Sequence, residues 1–212
     1  LYSNRHFGGG ISYYEVVHQI AKQRRSADGR DRRFDVTLLI NGLPIAQIEL
    51  KQVTTKDGIY QAFNQVKKYA EEGVFRNNIF STLQLFVVSN EQTTRYFANA
   101  LPKNMHRKLL FSWRTKNNQK VENLYEFCKQ VLNIPDAHRL IADYTIVSED
   151  QDNKILMVLH PYQIHAIEAL YVSANKHESG YVWHATGSGK TLTSFVSTKL
   201  LARKSGIDRT IM

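Results

Sequence analysis

The pattern of apolar and polar positions over the first hundred residues predicts three strands, a helix and a further strand. Residues 14–21 (YEVVHQIA) and the two apolar runs of residues 33–52 have the lengths of strands, and the two runs flank an Asn-Gly turn. Residues 59–70 place their apolar side chains at helical spacing, which predicts a helix with one packed face. The continuous apolar run 83–89 (LQLFVVS) indicates a buried strand. This order of elements predicts an α/β domain.

The pattern changes in the second half of the chain. Residues 101–120 are irregular and basic, residues 122–132 (ENLYEFCKQVL) predict a helix, and residues 148–154 (SEDQDNK) are polar and acidic. We expect a domain boundary in the acidic stretch, with a first domain over residues 1–150 and a second over residues 151–212.

The second domain has a different order of elements. A helix begins at Pro161, because proline is favoured at the first helical position. Residues 180–185 (GYVWHA) predict a strand, and a glycine-rich loop leads from it into a helix over residues 190–206. Residues 209–212 (RTIM) indicate the start of another strand.

Three charged residues interrupt the predicted hairpin: Asp35 in its first run, and Glu49 and Lys51 in its second. Side chains alternate between the two faces of a strand, so the turn decides which of these residues share a face. We expect a three-residue turn with Gly42 in the left-handed conformation and a bulge, because Pro44 cannot donate a ladder hydrogen bond in the tightest turn. Such a turn places Asp35 and Glu49 on one face.

Two carboxylates and a lysine on one strand face form a candidate site for phosphodiester hydrolysis. Hard cations such as Mg²⁺ bind one or two carboxylates together with waters and phosphate oxygens. The cation lowers the pKa of a bound water and stabilises charge that develops on phosphorus. A lysine can orient the attacking water or neutralise charge. The residues alone leave a second interpretation open, a solvated strand face with an incidental Glu49–Lys51 pair, because Glu-x-Lys is very common.

Composition narrows the class of protein further. The 212 residues carry a formal net charge of +9 with a pI near 9.6, which makes polyanions plausible partners but is equally compatible with a basic protein that binds no nucleic acid. The single cysteine, Cys128, excludes an internal disulfide and a cysteine-built metal site. No apolar run has the length of a membrane span and no signal-peptide pattern opens the chain, so we expect a cytoplasmic protein without membrane contact.

The glycine-rich loop 184–191 (HATGSGKT) lies between a predicted strand and a predicted helix, which is the context of a phosphate-binding loop. Lys190 would reach the β- and γ-phosphates of ATP, and the Thr191 hydroxyl would bind Mg²⁺. The backbone N–H groups that would hold phosphates at the helix N-terminus belong to Gly187, Ser188 and Gly189.

Asp35 followed by Glu49-Leu50-Lys51 resembles the motif of the PD-(D/E)xK nuclease family, although Phe34 stands where the family has proline. The resemblance implies a restriction-endonuclease-like nuclease fold for residues 1–150. It implies that Asp35 and Glu49 bind Mg²⁺ and that Lys51 is the third catalytic residue.

Gln65 and Tyr69 are four positions apart on the predicted helix and therefore share one of its faces. The pair is similar to the Q-x-x-x-Y element of RecB-like nucleases and of type I restriction motor subunits. That similarity implies that both residues hold the catalytic lysine or contact the DNA backbone. The alternative is that Tyr69 only packs and Gln65 is solvated.

The TGSGKT stretch resembles the first motif of superfamily 2 helicases and translocases, which often lack the first glycine, replaced here by His184. Upstream, HPYQIHAIEAL resembles the Q-motif of that superfamily and implies that Gln163 hydrogen-bonds the adenine edge. The resemblance implies the start of a RecA-like helicase domain in residues 151–212. No Walker B acid, arginine finger or second RecA-like lobe follows, so we expect a fragment that lacks the parts needed for ATP hydrolysis or translocation.

A PD-(D/E)xK-like nuclease followed by a superfamily 2 motor resembles the R (restriction, motor) subunit of type I restriction–modification enzymes. The resemblance implies a cytoplasmic, ATP-dependent site-specific deoxyribonuclease that joins methyltransferase (M) and specificity (S) subunits, translocates double-stranded DNA and cuts it with Mg²⁺. Two alternatives are a RecB-like repair nuclease–helicase, in which the nuclease usually follows the motor, and a nucleotide-dependent DNA-binding module with an inert nuclease fold.

Overall fold

The computed structural model describes residues 7, 10–22, 31–150, 153–204, 207 and 209–211. These residues form a mixed α/β structure, as the sequence predicted. The strands are β1 (Tyr14–Lys22), β2 (Arg32–Ile40), β3 (Leu43–Leu50), β4 (Leu85–Ser89), β5 (Thr94–Ala98), β6 (Trp113–Arg114), β7 (Lys120–Val121), β8 (Thr145–Asp150) and β9 (Asn153–Val158). The α-helices are α1 (Gly58–Glu71), α2 (Leu124–Phe127), α3 (Asp136–Ala142), α4 (Pro161–Asn175) and α5 (Lys190–Leu201). A π-helical turn, Cys128–Leu132, continues α2.

The chain forms two compact units. The first contains residues 1–113 and 120–158, and the second contains residues 114–119 and 159–212. The units therefore divide after residue 158, beyond the acidic stretch, and the assignment of residues 1–150 and 151–212 to separate domains stays a prediction.

A five-stranded sheet in the order β1-β2-β3-β4-β5 forms the centre of the first unit. Strands β3 and β4 are parallel, and the other neighbours are antiparallel. Helix α1 connects β3 to β4, which is the kind of crossover that a parallel pair requires. The predicted order of three strands, one helix and one strand is confirmed for this part of the chain.

The hairpin between β2 and β3 closes with a tighter turn than the sequence predicted. Ile40 pairs with Leu43, so the turn has two residues, Asn41 and Gly42, with φ angles of 52° and 74°. The three-residue turn was the wrong expectation, because Asn and Gly both adopt the left-handed conformation that a two-residue hairpin turn favours. A register shift between Leu38 and Leu39 leaves Ile45 unpaired as a bulge.

The main hydrophobic core lies between this sheet and α1. Several of its members are aromatic, and burial of one such side chain contributes roughly 1.5–3 kcal/mol to the free energy of unfolding. Phe34 contacts three of the other rings, with centroids 4.8 Å from Phe80 and 5.7 Å from Tyr69 and Phe75. The buried members of the core are Phe34, Ala62, Phe63, Val66, Tyr69, Ala70, Phe75, Phe80, Leu83, Phe86, Val88, Phe97 and Met105.

Several elements of the first unit were not predicted. Strand β5, helix α3 and the antiparallel β8–β9 hairpin all lie in segments that gave no clear periodic pattern. Residues 148–150 and 153–154 of the acidic stretch belong to this hairpin, and residues 151 and 152 lie outside the described part of the chain.

Helices α4 and α5 and the glycine-rich loop make up most of the second unit. The strand predicted over residues 180–185 is wrong, because no described strand pairs with this segment, and Tyr181 and Trp183 are 89% and 91% exposed. Residues 209–211 also have no strand structure, and Met212 lies outside the described residues. Helix α5 ends at Leu201, before the predicted end at residue 206. Within the described residues, no helix is both long and apolar enough to cross a membrane.

Candidate functional site

The carboxylates of Asp35 and Glu49 come together where β2 and β3 separate. Val36 pairs with Ile48, so the next position outward places Asp35 opposite Glu49. Asp35 Oδ2 accepts a hydrogen bond of 2.8 Å from the backbone N–H of Leu50, which fixes its side chain against the end of β3. The bulge at Ile45 supplies the extra residue that brings both acids to one face, which is the shared face that the sequence predicted by a different turn.

Glu49 is fully buried, and no group in the described part of the chain donates a hydrogen bond to either of its carboxylate oxygens. Burial and then the negative charge of Asp35 raise the pKa of Glu49 to about 8, although the ammonium of Lys51 acts to lower it. Lys51 Nζ lies 3.5 Å from Glu49 Oε1. The unfilled acceptor sites of the buried Glu49 carboxylate, beside the half-buried Asp35, attract a cation.

Lys51 is held from the other side by α1. Its ammonium donates a hydrogen bond of 2.5 Å to Gln65 Oε1, and Gln65 Nε2 donates one of 2.5 Å to the Tyr69 hydroxyl. Tyr69 is only 5% exposed, and burial, followed by the charge of Glu49, raises its pKa. The structure thus places Gln65 and Tyr69 on the hairpin side of the helix, in one polar chain that ends at Lys51.

The donor set around Glu49 fits a hard cation that retains part of its water shell. Asp35 and Glu49 offer carboxylate oxygens, and Mg²⁺ is commonly bound by one or two carboxylates with waters and phosphate oxygens completing its six ligands. The described residues contain no group of three or more His, Cys, Asp or Glu side chains that could hold a metal. A fully protein-built cage is therefore absent from this part of the chain, and a metal here would need ligands from water and substrate.

One further pair at this site was missed from the sequence. Arg32 Nε donates a hydrogen bond of 2.7 Å to Glu72 Oε2, and its Nη2 contacts the second oxygen of the same carboxylate. The Arg32 guanidinium lies over the ring of Tyr69, 5.5 Å from its centroid. Glu72 and Arg32 are 40 positions apart, so no local spacing could have indicated their contact.

The glycine-rich loop is held in place by α4. Gln163 is 2% exposed, and its Nε2 lies 3.5 Å from the carbonyl oxygen of Ser188 and 3.4 Å from that of Gly189. Its Oε1 accepts a hydrogen bond of 2.9 Å from the backbone N–H of His160. The Tyr162 hydroxyl donates a second bond to the Ser188 carbonyl, at 2.9 Å. The amide that was predicted to read adenine therefore contacts the loop backbone here.

The loop itself has the backbone conformation that its glycines permit. Gly187 and Gly189 have φ angles of 75° and 76°, and helix α5 begins directly after Gly189. Lys190 and Thr191 are exposed in the first turn of α5. Lys190 Nζ lies 3.4 Å from the carbonyl oxygen of Ala185, on the same loop.

His184, which stands at the position of the missing glycine, faces the Ser188 side chain. The two are 3.3 Å apart between His184 Nδ1 and Ser188 Oγ, and Ser188 Oγ also donates a hydrogen bond of 2.7 Å to the carbonyl of Ala185. The loop residues named from the sequence are thus gathered at the start of one helix.

The two sites lie in segments that match two different family models. Residues 11–105 match "Type I restriction enzyme R protein N terminus", and residues 156–212 match "Type III restriction enzyme, res subunit". The chain is 38% identical over 201 residues to the SauCOLORF180P type I restriction enzyme endonuclease subunit of Staphylococcus aureus strain COL, covering 94% of this chain and 21% of that protein.

A second staphylococcal relative, the SsaAORF53P type I restriction enzyme endonuclease subunit of Staphylococcus saprophyticus, is 41% identical over 208 residues, covering 95% of this chain and 22% of its own. The EcoprrI type I restriction enzyme endonuclease subunit of Escherichia coli is 35% identical over 154 residues, covering 72% of this chain and 48% of its own. This chain belongs to the R protein family of type I restriction enzymes. It spans about a fifth of the length of the staphylococcal relatives. The resemblance expected from the sequence is thereby confirmed, and both candidate sites fall inside the matched segments.

Proposed function

We propose that the first unit carries the nuclease site of a type I restriction enzyme and that this site cuts double-stranded DNA with Mg²⁺. The observation that carries the proposal is the buried carboxylate of Glu49, whose oxygens accept no hydrogen bond from the described residues while Asp35 lies opposite and Lys51 lies 3.5 Å away. A buried carboxylate without a hydrogen-bond donor lowers the stability of the folded protein unless a cation is bound. The presence of Glu49 in a core position is therefore best explained by a bound metal. We further propose the PD-(D/E)xK fold for this unit.

The chain's own residues would act in three ways at this site. Asp35 and Glu49 would hold the metal, which supplies a water of lowered pKa and stabilises charge on the phosphoryl group when bound. Lys51, held by Gln65, presents its ammonium beside Glu49, where it can orient the attacking water or neutralise negative charge. Tyr69 fixes the Gln65 amide and therefore the direction of the lysine.

We propose that the second unit begins a RecA-like superfamily 2 motor domain that binds ATP with Mg²⁺. The glycine conformations of the loop, its position before α5 and the exposed Lys190 and Thr191 support this assignment. Gln163 would act as an anchor of the loop, because its buried amide nitrogen contacts the Ser188 and Gly189 carbonyls. Its proposed hydrogen bond to the adenine edge would require this amide to turn away from those carbonyls.

The complete protein would work in the cytoplasm with the methyltransferase and specificity subunits of a restriction complex, and the specificity subunit would choose the DNA sequence. Membership of the R protein family supports these partners. The RecB-like alternative is disfavoured by the same family assignment, since the first site lies in the matched R protein segment, ahead of the glycine-rich loop.

Cleavage by the Asp35→Ala variant of the complete, assembled enzyme tests the proposed nuclease site. We expect loss of Mg²⁺-dependent cleavage, because one of the two metal-binding carboxylates is removed, together with normal ATP hydrolysis, because the loop lies in the other unit. The measurement is the rate of DNA cutting beside the rate of phosphate release in one preparation. Cutting at the wild-type rate would show that Asp35 has no role in the reaction.

A further inference from the structure

A second polar pocket opens on the first unit beside Lys51. Its volume is about 360 Å³, and its walls include Thr55, Tyr60, Asn90, Arg95 and Arg107. The pocket borders the candidate nuclease site through Gly58, which lines it. A Cβ atom placed on Gly58 would lie 3.3 Å from the Cβ of Lys51, so hardly any space separates the pocket wall from the stem of that lysine.

Arg107 is presented to this pocket in a fixed orientation. Its guanidinium stacks over the ring of Tyr60, 4.3 Å from the ring centroid, which holds the guanidinium plane while leaving its N–H groups free at the edges. Arg107 forms no ion pair with any carboxylate of the described residues. A planar guanidinium with free donors is the group that binds phosphate with two hydrogen bonds.

The second arginine of the pocket is anchored rather than free. Arg95 donates to the carbonyl oxygen of Thr94 at 2.8 Å and to Glu122 Oε1 at 3.0 Å, so its charge is already balanced and its position is set. The acidic residue of the lining, Asp57, is exposed, where solvent screens its repulsion of an anion. Of the two arginines that line the pocket, Arg107 is therefore the one that forms no ion pair with a described residue.

We propose that this pocket binds a backbone phosphate of the DNA strand, adjacent to the phosphate that is cut. The inference rests on the proposed nuclease function, since that function places a scissile phosphate at Lys51. The stem of Lys51 adjoins the pocket wall at the buried Gly58, so a strand whose scissile phosphate lies at Lys51 would have the pocket and the donors of Arg107 next to it. The pocket would thus fix the position of the strand during cutting.

The test compares three variants of the complete protein in its assembled complex: Arg107→Gln, Arg107→Lys and Arg76→Gln. Arg76 is an exposed arginine of the same unit that lines a different cavity, so it controls for the loss of one positive charge. We expect Arg107→Gln to lower the cleavage rate about tenfold, because a hydrogen bond to a charged group is lost. Arg107→Lys should recover part of the rate, and Arg76→Gln should cut like wild type. Equal losses in Arg107→Gln and Arg76→Gln, or no loss in Arg107→Gln, would overturn the proposal.

A photo-crosslinking experiment measures contact with DNA independently of cutting. A benzophenone amino acid replaces Tyr60, where it keeps an aromatic ring under Arg107, or replaces Arg76 as the control, both in the Asp35→Ala protein. We expect crosslinks to DNA from position 60 and few from position 76. If position 60 forms no crosslinks while the complex is bound to DNA, the proposal that the pocket binds the DNA strand is wrong. If the wild-type complex instead cuts no better than Asp35→Ala, the nuclease function is wrong, and crosslinking alone then decides whether DNA enters the pocket.

Discussion

Glu49 shows most clearly how function and stability oppose each other in single residues of this protein. Its carboxylate is fully buried, no group within the described ranges donates a hydrogen bond to it, and its pKa is raised to about 8 by burial and by Asp35. In the absence of a cation, the folded protein therefore keeps Glu49 protonated at pH values at which the unfolded chain has lost the proton. The folded state gains nothing from this acid until a cation binds.

Replacing Glu49 by Gln should stabilise the metal-free protein, and the gain should depend on pH. The folded pKa lies above the unfolded value, so wild-type stability falls as pH rises from about 4.5 towards 8, because folding then requires proton uptake. The amide cannot ionise and avoids this loss. We expect Glu49→Gln to increase the free energy of unfolding on the order of a few kcal/mol at pH 8 and to change it little at pH 5. Thermal unfolding in EDTA between pH 5 and 9 measures the difference.

The matched control for this experiment is Glu71→Gln, which removes an exposed carboxylate that pairs with Lys67 on the surface of α1. It should show no such pH-dependent gain. Addition of Mg²⁺ should raise the melting temperature of the wild type and leave that of Glu49→Gln nearly unchanged. A pH-independent difference between wild type and Glu49→Gln would contradict the raised pKa.

Tyr69→Phe should slow DNA cleavage by the complete enzyme about ten- to a hundredfold, with ATP hydrolysis unchanged. The variant keeps the ring in the core with Phe34 and Phe75 and removes only the hydroxyl that accepts from Gln65. Without it, the amide that holds Lys51 is free to rotate, at a cost of roughly 1.5–3 kcal/mol for a bond linked to a charged group. Cleavage rates of Tyr69→Phe and of Tyr125→Phe, which alters an exposed tyrosine, are compared. Equal rates would assign Tyr69 a packing role only.

At the scale of elements, the contact between α4 and the glycine-rich loop sets the conformation of the loop. Gln163 contacts the carbonyls of Ser188 and Gly189, and the Tyr162 hydroxyl contacts the first of these as well. A Cβ atom on Gly189 would lie 2.7 Å from Gln163 Nε2, whereas one on Gly187 would have no neighbour within 4 Å. The two glycines share nearly the same φ and differ in their surroundings.

Gly189→Ala should therefore impair nucleotide binding more than Gly187→Ala. Both substitutions cost about 1 kcal/mol for a left-handed alanine, but only the first also displaces the Gln163 amide from the loop. We expect at least a fivefold larger loss of ATP affinity for Gly189→Ala, measured by titration with a fluorescent ATP analogue on the complete protein. If the two variants lose affinity equally, backbone strain alone decides the effect and the contact with α4 has no part in it.

The elements that could be predicted from the sequence are those whose pattern is local. Helix α1 and strands β1 to β4 have clear periodicity. The i, i+4 spacing of Gln65 and Tyr69 predicted that they share a helix face, and only the resemblance to the Q-x-x-x-Y element implied that this face is the one beside Lys51. Strand β5 was missed because its polar residues find their partners across the sheet, where Ser89 bonds Thr94. The contact of Arg32 with Glu72 joins distant positions and leaves no pattern in the sequence.

The segment of residues 180–185 shows the opposite error, because a strand was predicted there and none is found. Its apolar residues have strand-like composition, but a strand also needs a hydrogen-bonded neighbour, and the described residues provide none. The turn of the hairpin was wrong for a related reason. The sequence cannot distinguish a three-residue turn from a two-residue turn with a bulge further along, because both give the same shared face.

At the scale of the whole molecule, the two candidate sites occupy two separate compact units. Asp35, Glu49 and Lys51 belong to the first, and Lys190 and the glycine-rich loop belong to the second. The staphylococcal relatives are about five times as long as this chain, and under the proposed function cutting that requires translocation would depend on both sites. A substitution that inactivates one site should then abolish such cutting while the other site stays intact.

Lys190→Ala in the complete protein should abolish ATP hydrolysis and translocation, because the β- and γ-phosphates lose their charged partner. Cutting that depends on translocation should vanish with them, although the nuclease residues are intact. The measurements are phosphate release and cleavage of DNA in the assembled complex. Lys199→Ala, which changes an exposed lysine on the same helix, serves as the control. Mg²⁺ should still raise the melting temperature of Lys190→Ala, and retained ATP hydrolysis would show that the loop has another role.

The bulge at Ile45 has a consequence for how this hairpin can change in evolution. Asp35 and Glu49 face each other because the two-residue turn and the single unpaired residue together make their separation along the chain even, at 14 positions (49 − 35). Gain or loss of one residue anywhere between them would turn Glu49 to the opposite face of the sheet and separate the acids. Gain or loss of two would leave them together. Relatives that keep the site should therefore carry insertions of two residues here, or of one residue together with a second bulge. The separation between the two acids can then differ in length among relatives but should remain even.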